Sequence, residues 1–407
     1  MVNRYDAVVV GAGIVGLATA WAIRVRRPEL SLAVLEKEGS VGAHQTGHNS
    51  GVVHSGVYYR PGSLKARLTL EGRARLIQFV TTEHLPLARV GKLIVATRLE
   101  EVPALDEIAD RGQRNGVAGL KRLSASELKE RAPEIRAVAA LDVPSAAITD
   151  YLAVANRLAE RLRGTSVDVL VGHGVRSATR TNAGWMLETP SEAVGAGFVI
   201  NCAGLGSDRL AEAMGARPPV SIVPFRGDYY RLSDRAKPIA PMLVYPVPDP
   251  EVPFLGVHLT PMVNGDLLAG PNAAIALARE GYRPGQLELE QLWRTAALPG
   301  LVGLLRNYGS IAAHEWLKSW SPAEFLEAIR TLWPAAAASD LGSRTSGVRA
   351  QAVRPDGTME DDFVLVKSPG ALHLLNAPSP AATAAFAIGE QVADEAGFRA
   401  AVPKVAA

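Results

Sequence analysis

A turn with three glycines, placed between an apolar run and a helix, is the strongest constraint on this chain. Residues 5–10, Tyr-Asp-Ala-Val-Val-Val, read as a short buried strand. Gly11-Ala-Gly-Ile-Val-Gly16 follows, and Leu17 to Arg27 reads as a helix stopped by Pro28. Residues 31–36, Ser-Leu-Ala-Val-Leu-Glu, form a second buried strand. Strand, glycine turn, helix and strand in about 30 residues make one βαβ unit, and fully apolar strands suit a parallel sheet covered on both faces. Gly11-x-Gly13-x-x-Gly16 in that setting is a dinucleotide fingerprint. The first glycine makes the tight turn, the second admits a pyrophosphate to the backbone, and the third lets helix pack on strand. The helix N-terminus adds free N–H groups and a partial positive charge. Glu36, 20 residues past Gly16, ends the next strand. It can accept hydrogen bonds from a ribose diol and disfavours a 2′-phosphate.

The strand-turn-helix pattern recurs. Gly197 to Asn201 leads into Cys202-Ala-Gly-Leu-Gly206 and a helix to about Met214. Leu372 to Asn376 leads into a helix opened by Ser379-Pro380, where Ser379 would cap and Pro380 would take the first helical position. Between them, residues 221–231, 242–247, 254–260 and 265–270 are short strand-like runs broken by Pro, Asp and Gly, with turn chemistry at 246–250 and Asn264-Gly265. These suggest an antiparallel sheet, flanked by helices at 98–114, 126–131 and 321–333. Ser124 with Glu127 suits a capping box. The chain is therefore expected to leave a parallel-sheet domain (1–85, 145–215 and 345–407) to build a second one (86–144 and 216–344).

Composition narrows the partners. Lys plus Arg is 43 against 41 for Asp plus Glu, a balance with no global drive towards nucleic acid or an anionic membrane. The one cysteine, Cys202, allows no intrachain disulfide and no Cys-based zinc site. Met1 to Asp6 runs straight into the first strand, which leaves no room for a signal peptide or presequence. The uncharged run between Lys367 and Glu390 is long enough for a membrane span, but His373, Asn376, Pro378, Ser379 and Pro380 interrupt it. The expected location is the cytoplasm, and peripheral contact on the cytoplasmic face of the membrane stays compatible.

Val41 to Tyr59, VGAHQTGHNSGVVHSGVYY, is small and polar and suits close approach to a flat cofactor. The spacing of His44, His48 and His54 matches no standard ligand pattern, so no metal is expected. With residues 5–36 and this stretch, the segments PFRGDYYRL (224–232), PFLGVHLTP (253–261), GPNA (270–273), REGYRP (279–284), GVRAQAV (347–353) and HLLNAPSPAAT (373–383) resemble the L-2-hydroxyglutarate oxidase/dehydrogenase family, within the D-amino-acid-oxidase-like FAD enzymes. The resemblance covers nearly the whole chain and is weakest over 286–340. It implies an α/β fold: a glutathione-reductase-like FAD-binding parallel sheet with an inserted α+β antiparallel-sheet substrate domain. It also implies FAD, taken here as non-covalent, and oxidation of L-2-hydroxyglutarate to 2-oxoglutarate. Candidate FAD contacts are Gly11, Gly13, Gly16, Glu36 and Lys37; Thr46, His48, Asn49, Ser50 and Gly51; Val175 and Gly204; and Asn376, Pro378, Ser379, Ala381, Ala382 and Thr383.

The reaction needs a base near neutral pKa for the substrate hydroxyl, which favours histidine. His54, just past the glycines, is the first candidate, and His258 on the substrate sheet is the second; the other of the two would hydrogen-bond a substrate oxygen. A small dicarboxylate needs two cationic anchors. Arg349 matches the position where D-amino-acid-oxidase-like enzymes hold an α-carboxylate. Arg226 and Lys65 are candidates for the distal carboxylate, and Tyr245 could supply a hydroxyl. The electron acceptor is open among oxygen, a quinone and an electron-transfer protein. Competing readings are an amine or amino-acid oxidase, a glycerol-3-phosphate-dehydrogenase-like flavoenzyme, and an FAD-binding protein without turnover. A single complete fingerprint disfavours an NAD-dependent dehydrogenase.

Overall fold

The computed structural model describes residues 2–248 and 256–399. The end of the expected turn at 246–250, the start of the strand-like run 254–260 with its PFLGVHLTP segment, and the tail 400–407 lie outside the described residues.

An eight-stranded sheet carries the glycine turn. Its parallel core runs Ala371–Asn376, Ala193–Asn201, Asn3–Val10, Leu32–Leu35, Asp168–Leu170. The hairpin Ser177–Thr181/Gly184–Glu188 and the strand Val364–Ser368 add antiparallel edges. Val8, Val9, Leu32, Val34 and Ile200 are all but fully buried, because helices cover one face and the hairpin side covers the other. The helix Ile14–Arg26 is held on the sheet by Leu17 and Ile23, both at 0% exposure, each contributing roughly 1.5–3 kcal/mol by burial. The helix Ala381–Glu395 packs in the same core through Ala384, Ala385, Ile388 and Val392. It starts one residue later than expected. Pro380 is the N-cap and Ser379 is exposed and caps nothing. The helix opens instead with the Ala381 N–H donating to the Pro378 carbonyl at 2.9 Å.

A second, nine-stranded sheet is built from two stretches of chain. Its order is Ala274–Ile275, Ser221–Leu232, Leu267–Gly270, His258–Pro261, Leu243–Pro246, Lys92–Ala96, Ala139–Val143, Lys121–Leu123, with Leu341–Val353 also on Ser221–Leu232. Every pairing is antiparallel except Leu243–Pro246 with Lys92–Ala96, where the two stretches meet. The boundary expected at 345 falls inside Leu341–Val353, which pairs with its neighbour from Ser221↔Val353 to Leu232↔Leu341. Ending a unit in mid-ladder would orphan backbone groups, so the return to the first sheet comes after Val353. The expected capping box is formed: Ser124 accepts from the Glu127 N–H, and Glu127 accepts from the Ser124 N–H. Residues 286–340, where the resemblance is weakest, are mainly helical: Leu289–Ala296, Leu301–Trp320 and Pro322–Arg330.

Side chains alternate across a strand, so register decides which residues share a face. Leu93, Val95, Val244, Leu259, Ala269 and Tyr230 face Phe325, Ile329 and Trp333 in one apolar core. The residues between them point the other way. Lys92, Tyr245, His258, Tyr229 and Arg349 therefore share the opposite face. A short three-stranded sheet, Val52–Val53, Ala147–Thr149 and Leu87–Ala88, meets that face and delivers His54 to it.

Candidate active site

The polar face and the end of the Val41–Tyr59 stretch form one cluster. The His54 backbone N–H donates to the Thr383 hydroxyl at 3.1 Å, and that hydroxyl meets the Tyr151 hydroxyl at 2.9 Å. Thr383 thus stands behind His54 as its support. The His54 imidazole is held well below the usual 6.5, first by burial, then by Lys92, His258, Lys65 and Arg349. His258 is 4% exposed, and its ring stacks on Tyr245 with centroids 3.8 Å apart. Its Nδ1–H donates to the Gly256 carbonyl at 3.0 Å, which leaves Nε2 as an acceptor in the neutral ring. Burial, with Lys92 and Arg349 adding to it, pushes His258 down to about 3. Arg349 donates to the Tyr229 hydroxyl, which also pairs with Ser50. Two imidazoles held low by burial therefore lie close to the cations Lys92, Lys65 and Arg349, surroundings that favour an anion.

Two candidate anchors fare differently. Arg226 pairs with Val348 in register, one residue off Arg349, so it points to the opposite face. There its guanidinium binds Asp228 at 3.1 Å and the Arg283 carbonyl at 3.1 Å, buried at 4% exposure. It is a structural ion pair and cannot reach the cluster. Lys65 lies on the cluster side but is engaged by the Asp361 carboxylate at 2.7 Å and the Asp361 carbonyl at 3.1 Å. Lys92 was missed by the sequence reading. It is 1% exposed, sits 3.9 Å from the Tyr245 ring centroid and 5.2 Å from that of Tyr58, and has no carboxylate partner among the described residues. The signal was present: one lysine opening the otherwise apolar strand Lys-Leu-Ile-Val-Ala.

A cavity of about 530 Å³ runs along the C-terminal ends of the parallel strands. Gly11, Gly13, Gly16, Glu36, Lys37, Thr46, Val175, Gly204, Ala381 and Ala382 line it. Gly11 has φ +104°, and a Cβ there would lie 2.5 Å from the Cys202 carbonyl; at Gly16 it would meet the Gly11 carbonyl. No side chain fits either place. Glu36 accepts from the Ala12 and Glu38 N–H groups at 2.9 and 3.0 Å. Lys37 bridges Glu38 and Glu280. Those two carboxylates and His44 come within metal-ligand range, but the Lys37 ammonium already sits on both acids. Thr46 accepts from the Ile14 N–H at 3.0 Å.

The remaining candidates lie off the cavity wall. Asn49 shapes the loop by donating to the Thr46 carbonyl at 2.6 Å and accepting from the Gly51 N–H at 2.8 Å. Gly51, with φ +67°, turns the loop into the strand before His54. His48 is exposed, donates to the His44 carbonyl at 3.0 Å and lies 4.5 Å from the Tyr282 ring. Asn376 donates to the Asp362 carbonyl at 2.8 Å, and its own oxygen is buried without a partner between the lining residues Leu375 and Ala377.

Comparison with known proteins decides the family. The FAD dependent oxidoreductase family matches residues 6–395. The chain belongs to that family. Within this FAD dependent oxidoreductase family, it is 42% identical to an L-2-hydroxyglutarate dehydrogenase of Indibacter alkaliphilus, over 96% of this chain and 98% of that protein. It is 40% identical to the mitochondrial L-2-hydroxyglutarate dehydrogenase of Homo sapiens, over 97% and 89%. Among solved structures, an FAD-bound L-alpha-glycerophosphate oxidase from Mycoplasma pneumoniae aligns with a TM-score of 0.79 at 20% identity, over 99% of this chain and 97% of that one. Glycine oxidase from Geobacillus kaustophilus aligns at 0.73 and 18%, over 98% and 96%. These two show the shared fold: the expected parallel cofactor sheet with a largely antiparallel second sheet.

The cavity of this FAD dependent oxidoreductase fits the family cofactor on its own chemistry. Val15 and Gly16 line it at the start of a helix whose first turn carries no acidic residue, so their N–H groups can receive a pyrophosphate. The Glu36 carboxylate faces the same cavity, within reach of a ribose. The orphaned Asn376 oxygen awaits a donor.

Proposed function

We propose that this chain oxidises L-2-hydroxyglutarate to 2-oxoglutarate with FAD, losing a hydride from the carbinol carbon and a proton from its hydroxyl. One observation carries the reading: Arg349, His54 and His258 converge on a buried polar face beside a dinucleotide cavity. Relatives of 40–42% identity over nearly the whole chain bear that substrate in their names, which supports it. FAD, when bound, supplies the hydride acceptor at its N5. The Arg349 fork pairs the α-carboxylate bidentately, held in place through Tyr229. His54 takes the hydroxyl proton; the His258 ring packs beside the carbinol, and its Nε2, an acceptor while Nδ1–H bonds Gly256, makes it the alternative base. Tyr245 keeps the His258 ring fixed by stacking.

The test is anaerobic flavin bleaching. L-2-Hydroxyglutarate should bleach the bound flavin, and glycine, sarcosine and glycerol 3-phosphate should not. Bleaching by one of those three alone would move the chain to the amine-oxidase or glycerophosphate reading. No bleaching by any of them would leave an FAD-binding protein without turnover.

We also propose that FAD is held without a covalent bond. Burial pushes the Cys202 thiol up to about 12, so it stays protonated and is a poor nucleophile. His48 is exposed and off the cavity wall. Acid precipitation should leave the yellow colour in the supernatant; colour retained in the pellet would refute this.

The FAD-binding part is assigned to residues 1–85, 145–215 and the segment after Val353, and the substrate part to 86–144 and 216–353. Oxygen, a quinone and an electron-transfer protein are equally compatible acceptors. No helix among the described residues is long and apolar enough to cross a membrane. We place the chain in the cytoplasm. Exposed Trp293, Val302, Leu317 and Trp320 are compatible with peripheral contact at the membrane face.

A further inference from the structure

The proposed substrate is a dianion, and Arg349 accounts for one carboxylate. Resting on that reading, we infer that Lys92 binds the distal carboxylate and sets the selectivity for a dicarboxylate. The argument begins with cost. An ammonium group at 1% exposure, with no carboxylate partner among the described residues, is expensive to keep. The rings of Tyr245 and Tyr58, 3.9 and 5.2 Å from Nζ, offset part of that cost through their π faces. They supply no negative charge. The strand around it is apolar, Leu93 to Ala96, and any of those residue types would pack there more cheaply.

Position supplies the second part. On the shared sheet face the order runs from Arg349 and Tyr229 through His258 and Tyr245 to Lys92. Arg349 and Lys92 thus flank His258 from opposite sides. Both act electrostatically on His54 and on His258, so the four groups lie close together. A molecule with a carboxylate at each end and a carbinol near one of them fits that order. Burial holds the Lys92 ammonium down at about 7, a state that an incoming carboxylate would reverse by favouring the charged form. The other nearby cations are already engaged: Lys65 by Asp361, and Arg226 by Asp228 on the far face.

The Tyr58 hydroxyl is buried without a partner in the same neighbourhood. It can donate to the second oxygen of the carboxylate that Lys92 binds. That would give the Tyr58 hydroxyl a partner and the Lys92 ammonium a counter-charge.

The experiment compares L-2-hydroxyglutarate with L-2-hydroxypentanoate, which keeps the five-carbon chain and lacks the distal carboxylate. Anaerobic stopped-flow reduction gives the apparent second-order rate constant for each in FAD-loaded wild type, Lys92→Met and Lys92→Gln. In both variants the preference for the diacid should fall on the order of 10²-fold, as expected when one partner of a buried charge pair is removed. FAD content should be retained. Lys92→Met should melt no lower than wild type, because it replaces a buried unpaired charge by an apolar chain of similar length. A purely structural lysine would show the reverse: a lower melting temperature and an intact preference. Equal loss with both substrates, or a preference that collapses in Lys65→Met and survives in Lys92→Met and Lys92→Gln, overturns the inference. If wild type is not reduced by L-2-hydroxyglutarate at all, the reading of the reaction fails first and this inference falls with it. Should Lys92→Met fail to fold, Lys92→Gln decides; failure of both would mean that Lys92 serves packing, and would also overturn the inference.

Discussion

His54→Asn should slow flavin reduction by L-2-hydroxyglutarate roughly 10²–10⁴-fold, the usual worth of a general base. FAD content should not change, because the cavity is lined elsewhere and the bond to Thr383 is made by the backbone of residue 54. The pH profile carries an independent check. A base works when deprotonated, and His54 is held well below 6.5 by burial and by surrounding cations. In the free enzyme, the acid side of the kcat/KM profile should therefore fall only as pH drops through that lowered value, while loss of the Lys92 proton, held at about 7, shapes the alkaline side. That acid limb should vanish in the mutant. His258 is also held low, at about 3, so the profile alone does not assign the limb and the mutants must. His258→Asn should raise the substrate dissociation constant more than it slows reduction at saturation. If His258→Asn removes the acid limb while His54→Asn changes only binding, the roles are reversed. Wild-type reduction in both mutants would mean that neither histidine is the base and would leave a bound water or a tyrosine such as Tyr58.

Arg349→Lys should cost on the order of 2–4 kcal/mol in kcat/KM although the charge is kept. The reason is geometric. A guanidinium presents a rigid fork that matches a carboxylate, whereas an ammonium is a point charge on a flexible stem. The guanidinium also bonds the Tyr229 hydroxyl, and a lysine that lost this contact would lose that orienting bond. Bound FAD should be the same as in wild type. Ordinary kinetics in the mutant would place the α-carboxylate on another cation of the cluster, with Lys92 and Lys65 the nearest alternatives.

The glycine turn of the cofactor half was readable from its own residues. A glycine turn between an apolar strand and a helix has few solutions, and the places where Gly11 and Gly16 admit no Cβ are local consequences of that turn. Glu36 follows from the same unit. The Ser124–Glu127 cap is likewise a contact within four residues. Where a reading depended on an element boundary, local signals were less sufficient. Ser379 looks like a cap in sequence, but the helix starts after Pro380 because the Pro378 carbonyl takes the Ala381 N–H. The boundary placed at 345 falls inside Leu341–Val353, because the sequence of a long strand does not announce the ladder it will join.

The substrate half shows what pairing alone could decide. Arg226 and Arg349 are both arginines in apolar strand contexts, and composition cannot rank them. Register does: Phe225 pairs with Arg349 and Arg226 with Val348, so a one-residue offset sends the two guanidinium groups to opposite faces. The same parity brings Lys92, 166 residues before His258 in the chain, onto the His258 face through a parallel junction between two distant segments. By itself, then, the sequence determined the dinucleotide unit, which rests on short-range pattern, and the family, through segments spread along the chain. Only the tertiary structure decided which cations share the His258 face, because a side chain's face is set by the partner strand and its register, and that information lies far away in the chain.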